Sequence, residues 1–401
     1  MVSPVRKAVL VAALGYFVDM YDLVLFGVLR VPSLTGLGLS GAALTDAGVL
    51  LLNVQVAGIV LGSMLWGVLA DKRGRLTVLF ASILTYSVAN LGNGFVTSLP
   101  QYAALRALAG VGLAGELGAG ITLVSESLST RERGFGTTFV ASLGLAGALT
   151  AGLIAPRLPW RMSYIVGGVL GLGLLFMRTQ LLEPELFRAQ TQLKRVRGSL
   201  AQIFDRKRIG RFVPLVLVAI PNWYLAGIPM TFSPEVGKAL GMEGPPSPAQ
   251  STTWMYLGVV VGDVCFGLLS QALHSRKRAL YIAHIGMAVG FVGIFVHGKS
   301  SASAYLAWML MLGLFSGFWA VFVTTAAELF GTNLRGTAAT MAPCFVRGFA
   351  IPITLSWRAM QPHLGTIPAA GIVGAVCILL AFAGIWAIPE TYGRDLDFVE
   401  E

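Results

Sequence analysis

Long apolar segments alternate with short polar ones along almost the whole chain. Each apolar segment holds about 20 residues or more, which is enough for a helix to cross the roughly 30 Å hydrocarbon core of a lipid bilayer. Twelve such segments can be placed, at residues 7–30, 47–70, 76–98, 100–126, 135–156, 160–182, 211–236, 251–273, 279–298, 302–329, 336–359 and 365–389. The pattern predicts an all-α membrane protein with 12 transmembrane helices.

Two longer polar interruptions organise these segments. Residues 183–211 form a polar stretch between the sixth and seventh segments, and a Pro-rich loop at 244–248 breaks any helix between the seventh and eighth. The first interruption divides the apolar segments into two sets of six. We therefore expect an N-terminal six-helix bundle at 1–185, a cytoplasmic basic linker at 186–210, and a C-terminal six-helix bundle with a short cytoplasmic tail at 211–401.

Composition supports the membrane class. The 401 residues are 55% hydrophobic and only 12% charged, whereas soluble domains carry about 25% charged residues. The 49 glycines suit helix packing in lipid, where small residues let helix backbones approach closely. A set of soluble domains is therefore excluded.

The net charge of +10 is explained by membrane topology. With the N-terminus inside, most of the 29 Lys and Arg residues fall on inner segments, as the positive-inside rule requires. This predicts a multi-pass protein of the cell (inner) membrane with both termini in the cytoplasm, and it removes the need for a nucleic-acid partner. The basic cluster at 190–211 is compatible either with contact to anionic lipid heads or with a solvated linker.

The sequence shows no pattern for a metal, a cofactor or a disulfide framework. Cys265, Cys344 and Cys377 lie in apolar segments without metal-ligand spacing, and the four histidines are scattered. Asp19 and Asp22 interrupt the first apolar segment, which also lacks a clear cleavage site, so we interpret it as a span and not a signal peptide. No catalytic HExxH or GxSxG motif is present, so we expect no enzyme activity and no cofactor.

A dense group of charges separates the second and third apolar segments. It reads Gly67-Val-Leu-Ala-Asp71-Lys-Arg73-Gly74-Arg75. Because helices flank it, this must be a tight turn at the membrane surface, where the glycines allow close approach. Asp71 can accept hydrogen bonds from a neighbouring helix N-terminus or pair with a basic side chain.

The chain repeats itself at a distance of about 200 residues, which is typical of transporters built from two related halves. Residues 126–134 and 328–336 both follow the pattern E-x3-T-x2-R-G. The start of the charged turn, Gly67-Val-Leu-Ala, recurs as Gly267-Leu-Leu-Ser. Gln271 stands where the first copy has Asp71, so we predict that the second copy of the turn is degenerate.

These motifs resemble those of the major facilitator superfamily. The charged turn resembles the signature loop between helices 2 and 3 of that family, and the helix 4 arginine motif is matched by Arg106-x3-Gly110-x-Gly112. The fold implied by the resemblance has two six-helix halves, with the substrate site between them near the bilayer midplane. The halves, 1–185 and 211–401, would rock against each other in alternating access.

Two further segments resemble particular branches of the family. Asp19-Met-Tyr21-Asp22 resembles the D-x-Y-D segment in helix 1 of organic-ion, phosphate and metabolite symporters. Residues 389–394 resemble the P-E-T-K-G end of sugar porters, with Tyr392 in place of Lys. The resemblance also implies a cytoplasmic gate, which would be formed by Gly67, Asp71, Arg73, Gly74, Arg75, Glu126, Arg133, Glu328 and Arg335.

Six charged residues are expected at some depth in the membrane, where charge is costly and usually functional. They are Asp19, Asp22, Arg106, Glu116, Asp263 and Arg347. Asp19 and Asp22 share one helix face, and two carboxylates that close in a poorly solvated site cannot both ionise cheaply. We therefore predict that one of them couples protons or binds substrate; the alternative is a structural salt bridge with Arg106.

The remaining candidates have open assignments. Glu116 resembles the G-G-E glutamate of metabolite symporters and is assigned either to coupling or to a packing hydrogen bond. Asp263 and Arg347 either pair with each other or leave Arg347 to bind an anionic group of the substrate. Aromatic and polar side chains that could line a cavity, or serve as ordinary packing, are Tyr21, Asn222, Trp223, Tyr224 and Trp319.

The function predicted from these features is proton-coupled symport of a small polar metabolite, such as an organic ion, a sugar or an amino-acid-like compound. The partners are that substrate, protons and the lipid bilayer, and the protein is expected to act as a monomer. A proton-coupled exporter stays open, although the fifth segment lacks the Gly-Pro pair usual in exporters. A facilitative uniporter, a non-transporting membrane sensor and an intramembrane enzyme stay open as well.

Overall fold

The computed structural model is predominantly helical in the part of the chain that it describes, which comprises residues 4–73, 75–115, 130–181, 205–331 and 334–394. Within these ranges nine helical segments are long and apolar enough to cross a membrane. Each of the twelve predicted spans contains helix, and no strand occurs in the described residues. The predicted all-α membrane class is confirmed.

The chain divides into two compact units, Met1–Arg197 and Gly198–Glu401. Most of the predicted linker at 186–210 lies outside the described residues. The first unit contains α1 (Pro4–Gly36), α2 (Gly41–Arg73), α3 (Arg75–Asn93), α4 (Leu99–Ala114), α5 (Thr130–Ile154), a 3₁₀ turn (Ala155–Arg157) and α6 (Trp160–Leu181).

The second unit contains more helical elements, several of them short. They are α7 (Arg206–Val218), α8 (Ile220–Leu225), a π-helical turn (Ala226–Met230), α9 (Ser233–Ala239), α10 (Pro248–Ala272), α11 (Arg276–Val296), a 3₁₀ turn (Gly298–Ser300), α12 (Ala302–Ser316), α13 (Trp319–Leu329), α14 (Arg335–Gly348), α15 (Ala350–Leu364) and α16 (Thr366–Ala387). The predicted seventh, tenth and eleventh spans are therefore interrupted and not continuous.

Local chemistry explains the interruption of the seventh span. Pro221 has no backbone N–H, so it cannot continue the helical hydrogen-bond ladder. The N–H groups around it bond three residues back, Ala219 to the Val216 carbonyl and Asn222 to the Ala219 carbonyl, each at 3.2 Å. Bonds of this 3₁₀ type tighten the turn and separate α7 from α8.

Glycine allows two parallel helices of the first unit, α2 and α4, to touch through their backbones. A Cβ atom built at Gly58 would lie 2.2 Å from the Ala107 carbonyl oxygen, and one at Gly62 would lie 2.6 Å from that of Val111. From the other side, a Cβ at Gly110 would lie 2.1 Å from the Gln55 carbonyl oxygen. Only glycine fits at such contacts, which are typical of helix packing in membranes.

The second unit repeats this contact between α10 and α12. A Cβ at Gly258 would lie 2.1 Å from the Leu310 carbonyl oxygen, and one at Gly262 would lie 2.0 Å from that of Leu314. Gly313 faces the Met255 carbonyl oxygen as Gly110 faces that of Gln55. The repeat found in the sequence is therefore a repeat of helix-packing geometry as well.

Substitution of Gly258 by Ala should destabilise the protein, because the new methyl group meets a backbone oxygen that no rotamer change can move. Overpacking of this kind costs about 1–3 kcal/mol. Gly267→Ala is the matched control on the same helix, since a Cβ there meets nothing within 4 Å. We expect Gly258→Ala to lower the thermal unfolding temperature and Gly267→Ala to leave it unchanged or raise it; equal effects would contradict the contact.

Candidate functional site

Several of the predicted functional residues lie outside the described part of the structure. These are Gly74, Glu116 and Glu126, together with the side chains of Asp71, Arg75, Arg133 and Arg335. Gly67 lies in α2, and Arg73 is exposed at the end of that helix. The roles assigned to these residues stay predictions.

The two aspartates of α1 are buried inside the first unit. Asp19 is 3% exposed and Asp22 is 0% exposed. Asp22 packs against α6 at Gly167, where a Cβ atom would lie only 2.6 Å from its Oδ1. Tyr21, between the two aspartates, donates a hydrogen bond to the Ser163 carbonyl oxygen at 3.2 Å. The D-x-Y-D segment is thus fastened to α6 at a position that requires glycine.

Arg106 of α4 is fully buried in the same unit. Its Nη1 donates to Asn90 Oδ1 at 3.4 Å, and its guanidinium carbon lies 5.6 Å from the centroid of the Phe26 ring and 5.5 Å from that of Tyr164. Its Nε and Nη2 have no hydrogen-bond partner among the described residues. These two N–H groups form one edge of the guanidinium, which can bind a carboxylate with two parallel hydrogen bonds.

A chain of hydroxyl groups fixes the aromatic ring beside Arg106. Ser33 donates to the Arg30 carbonyl oxygen at 3.2 Å, and Tyr102 donates to Ser33 Oγ at 3.2 Å. Because the Tyr102 proton is used in this way, Tyr164 must donate in the 2.5 Å contact between the two phenol oxygens. Arg30, the last residue of the first predicted span, is itself fully buried.

The second unit contains the same tyrosine contact. Tyr224 of α8 donates to the Ala370 carbonyl oxygen at 2.7 Å. A Cβ atom at Gly374 would lie 2.7 Å from its ring, just as a Cβ at Gly167 would meet Tyr21. Because both units make this contact and the glycine contacts, each residue of these helices in the first unit can be matched to an equivalent residue in the second.

At the positions equivalent to the three buried charges, the second unit carries uncharged residues. Asn222 occupies the position of Asp19, Leu225 that of Asp22, and Met309 that of Arg106. Leu225 and Met309 are fully buried. The packing of tyrosine on glycine therefore forms without any of these charges.

The second unit has a polar locus of its own at its helix breaks. The guanidinium carbon of Arg347 lies 5.9 Å from the centroid of the Trp223 ring, and its buried Nε and Nη1 have no hydrogen-bond partner among the described residues. Asn222 donates to the Ser316 carbonyl oxygen at 3.3 Å, at the end of α12. The Trp319 ring lies beside that of Phe322, tilted by 37°, with 5.1 Å between ring centroids.

Asp263 has a structural partner in this locus. Its Oδ1 accepts a hydrogen bond from the Ala320 N–H at 3.2 Å, so it satisfies one of the free amides that begin α13. Gly317 allows this approach, since a Cβ there would lie 2.3 Å from the Asp263 nitrogen. Within the described residues no ion pair joins Asp263 to Arg347, so the pairing that the sequence left open is not formed in this structure.

The partner of Glu328 is Arg276, at the start of α11. The Nη2–Oε1 and Nε–Oε2 distances are 2.9 Å and 3.2 Å, so the pair is bidentate. Thr391 also donates to Glu328 Oε2 at 2.7 Å, and Arg276 donates to Ser270 Oγ at 2.7 Å. Sequence reasoning missed Arg276 and Thr391; the resemblance at 389–394 was the available signal for the second.

Glu390 joins the same network from the chain segment after α16. Its carboxylate accepts hydrogen bonds from the Ser275 hydroxyl and from the N–H groups of Arg276, Lys277 and Tyr392. Partial burial raises the pKa of Glu390, but these hydrogen bonds outweigh it and hold the pKa below its ordinary value. The turn predicted to be degenerate because of Gln271 therefore carries a connected set of polar contacts.

Comparison with known proteins places these features in a family context. A family model described as Major Facilitator Superfamily matches residues 12–355. The chain is 26% identical to a probable 4-methylmuconolactone transporter of Cupriavidus pinatubonensis, over 96% of this chain and 91% of that one. It is 25% identical to a cis,cis-muconate transport protein of Acinetobacter baylyi, over 90% and 89% of the two chains.

A solved structure shares the fold. The crystal structure of a D-xylose-proton symporter superposes with a TM-score of 0.76 over 98% of this chain and 100% of that one, at 19% identity. At this level of identity the match shows the fold alone.

Proposed function

The chain belongs to the Major Facilitator Superfamily, and from this premise we propose that it is a secondary active transporter that carries a small polar metabolite together with protons. Two relatives that match over most of their length are named as a probable 4-methylmuconolactone transporter and a cis,cis-muconate transport protein. Coupling to protons is the more specific part of the proposal, and it is supported by the buried charges of the first unit.

The observation that carries the coupling proposal is the contrast between the two units. Asp19, Asp22 and Arg106 are buried where the second unit has Asn222, Leu225 and Met309 in the same helix packing. A charged side chain in the membrane costs about 2.5–3.5 kcal/mol on insertion scales. Since the packing does not need these charges, we attribute them to function.

The three charges have complementary chemistry. Asp19 and Asp22 lie close on one helix face, so a proton bound to one of them relieves the repulsion between two carboxylates. Arg106 stays charged at all relevant pH values, and its open Nε/Nη2 edge can bind a carboxylate of the substrate or of an aspartate. Exchange of the arginine between these carboxylates would link substrate binding to proton uptake.

The second unit contributes a recognition group in this proposal. Arg347 offers two buried N–H groups without a partner among the described residues and lies close to the aromatic ring of Trp223. A guanidinium beside an indole suits an anionic and planar group. Two relatives are named as transporters of muconate and of a muconolactone, so organic acids take priority among candidate substrates.

The proposal also includes a cytoplasmic gate and an orientation in the membrane. The charged turn at 67–75, with Glu126 and Arg133, would latch the cytoplasmic side of the first unit, and Arg276 with Glu328 would do the same in the second. Both termini would lie in the cytoplasm and the protein in the inner membrane, as the distribution of Lys and Arg predicts. Transport would proceed by alternating access.

A two-stage experiment tests the function. Thermal-shift screening of the purified protein against organic acids, sugars and amino acids should identify a ligand, because a ligand at 100 times its Kd adds about 2.7 kcal/mol of stability. Uptake of that ligand into proteoliposomes is then measured with and without an imposed pH gradient. Accumulation above equilibrium that requires the gradient is the expected result; flux that ignores the gradient would indicate a uniporter, and binding without flux would indicate a sensor.

A further inference from the structure

His284 of α11 is buried, whereas the other three histidines of the chain are exposed. Its Nδ1 lies 2.7 Å from the Leu280 carbonyl oxygen, one helical turn earlier. Its Nε2 lies 2.7 Å from the Val218 carbonyl oxygen, at the end of α7. Both ring nitrogens therefore face an oxygen at full hydrogen-bond distance.

Carbonyl oxygens can only accept hydrogen bonds, and a neutral imidazole carries one N–H. A neutral imidazole can therefore donate to one of these two oxygens, and only the imidazolium can donate to both. We propose that His284 binds a second proton and forms a buried proton-binding site in the second unit, separate from the carboxylates of the first.

Burial without a carboxylate nearby opposes the charged form of the imidazole, so the two carbonyl oxygens and the neighbouring aromatic rings must stabilise the second proton. The Phe318 ring centroid lies 4.5 Å from that of the imidazole, and the Phe382 centroid lies at 6.3 Å. Aromatic faces and carbonyl oxygens both attract positive charge. The helices packed against α11 include α10, α12, α13 and α16, and their titratable side chains are Tyr256, Asp263, Cys265, Tyr305, Glu328 and Cys377. Within the described residues none of these, and no charged side chain of α7 or α11, forms a hydrogen bond or ion pair with the imidazole.

The first unit shows that the packing does not call for a histidine here. A Cβ at Gly92 would meet Leu105 and one at Gly293 would meet Trp308, and this shared contact aligns α3 with α11. The residue equivalent to His284 is then Ile83, which is fully buried in an apolar cluster with Val11 and Val18 of the unbroken helix α1.

The histidine coincides instead with the break between α7 and α8. In a continuous helix the Asn222 N–H would bond the Val218 carbonyl, but here it bonds the Ala219 carbonyl. His284 donates to the Val218 oxygen that this break releases. Protonation of His284 therefore stabilises the interrupted form of the span, and loss of the second proton removes one of its two hydrogen bonds.

Nitrogen NMR of the full-length protein in lipid nanodiscs tests the proposal directly. With ¹⁵N-labelled histidine, the His284 signals are identified as those that disappear in His284→Gln. The expected result is that both ring nitrogens carry a proton at neutral pH and that raising the pH converts one of them to the unprotonated form. A single protonated nitrogen at neutral pH would overturn the proposal.

A stability measurement gives an independent test. The difference in unfolding temperature between wild type and His284→Gln should shrink as the pH rises, because the wild-type protein loses the second hydrogen bond. His297→Gln is the matched control, since His297 is exposed at the other end of α11, and its difference from wild type should stay constant with pH. A His284→Gln difference that is equally constant would contradict proton binding.

Discussion

The Asp22→Asn variant is expected to bind substrate and to lose proton-driven accumulation. If one proton accompanies each substrate, a gradient of one pH unit can sustain about a tenfold accumulation, since a factor of ten corresponds to about 1.4 kcal/mol. A variant that cannot exchange the proton should reach only the external concentration. The measurement is substrate uptake by proteoliposomes under an imposed gradient, with equilibrium binding measured in parallel.

The Asp19→Asn variant tests the other aspartate of the pair, and this variant is expected to fold. The second unit already carries Asn222 at the equivalent position, so asparagine is compatible with this helix packing. Asp46→Asn serves as the control, because Asp46 is an exposed carboxylate of the same unit and its loss should leave accumulation intact. Tenfold accumulation in both single variants and in the double variant would refute coupling through these aspartates.

Replacement of Glu328 by Ala should destabilise the second unit by about 3–5 kcal/mol, the range found when one partner of a buried ion pair is removed. The reason is that Arg276 would stay buried and charged while losing its two hydrogen bonds to the carboxylate. Thermal unfolding of the purified variant, followed in detergent or nanodiscs, gives the measurement.

The half-exposed pair Asp205–Arg208 provides the comparison. Its atoms are 3.6 Å apart, and the Arg208 and Asp205 side chains are 11% and 53% exposed, so Asp205→Ala should cost less than Glu328→Ala, about 1 kcal/mol. Comparable losses of stability in the two variants would show that the Glu328 pair is weak. A conservative Arg276→Lys change should also destabilise, because lysine cannot form the bidentate contact.

The sequence predicted the helical class, the number of apolar segments and the repeat, because these follow from hydrophobic length and recurring motifs. It could not predict that the seventh, tenth and eleventh spans are interrupted. Hydropathy does not register a missing backbone hydrogen bond, and Gly and Pro occur in many unbroken segments of this chain. The break at Ala219 depends on which carbonyl groups find hydrogen-bond partners. The Val218 carbonyl finds its partner in His284, which belongs to another helix.

The candidate site also contains residues that the sequence predicted and contacts that it did not. Buried Asp19, Asp22 and Arg106 were identified because a charge in an apolar segment is visible in the sequence. The partner of Glu328 was missed because the motif points to Arg335, seven residues later, whereas the guanidinium that binds it belongs to Arg276 on a different helix. Contacts between helices distant in sequence need the packing to be known.

The glycine contacts between α2 and α4, and between α10 and α12, have a mechanical consequence. Where two helices touch backbone to backbone, no side-chain rotation can accommodate sliding of one helix along the other. Each pair therefore moves as one rigid body. Bending of the helices is then confined to points where the backbone hydrogen-bond pattern is interrupted, such as Ala219 and Gly317. Within the second unit, elastic strain would therefore collect at these joints, beside Asn222, Asp263 and the ring of Trp223.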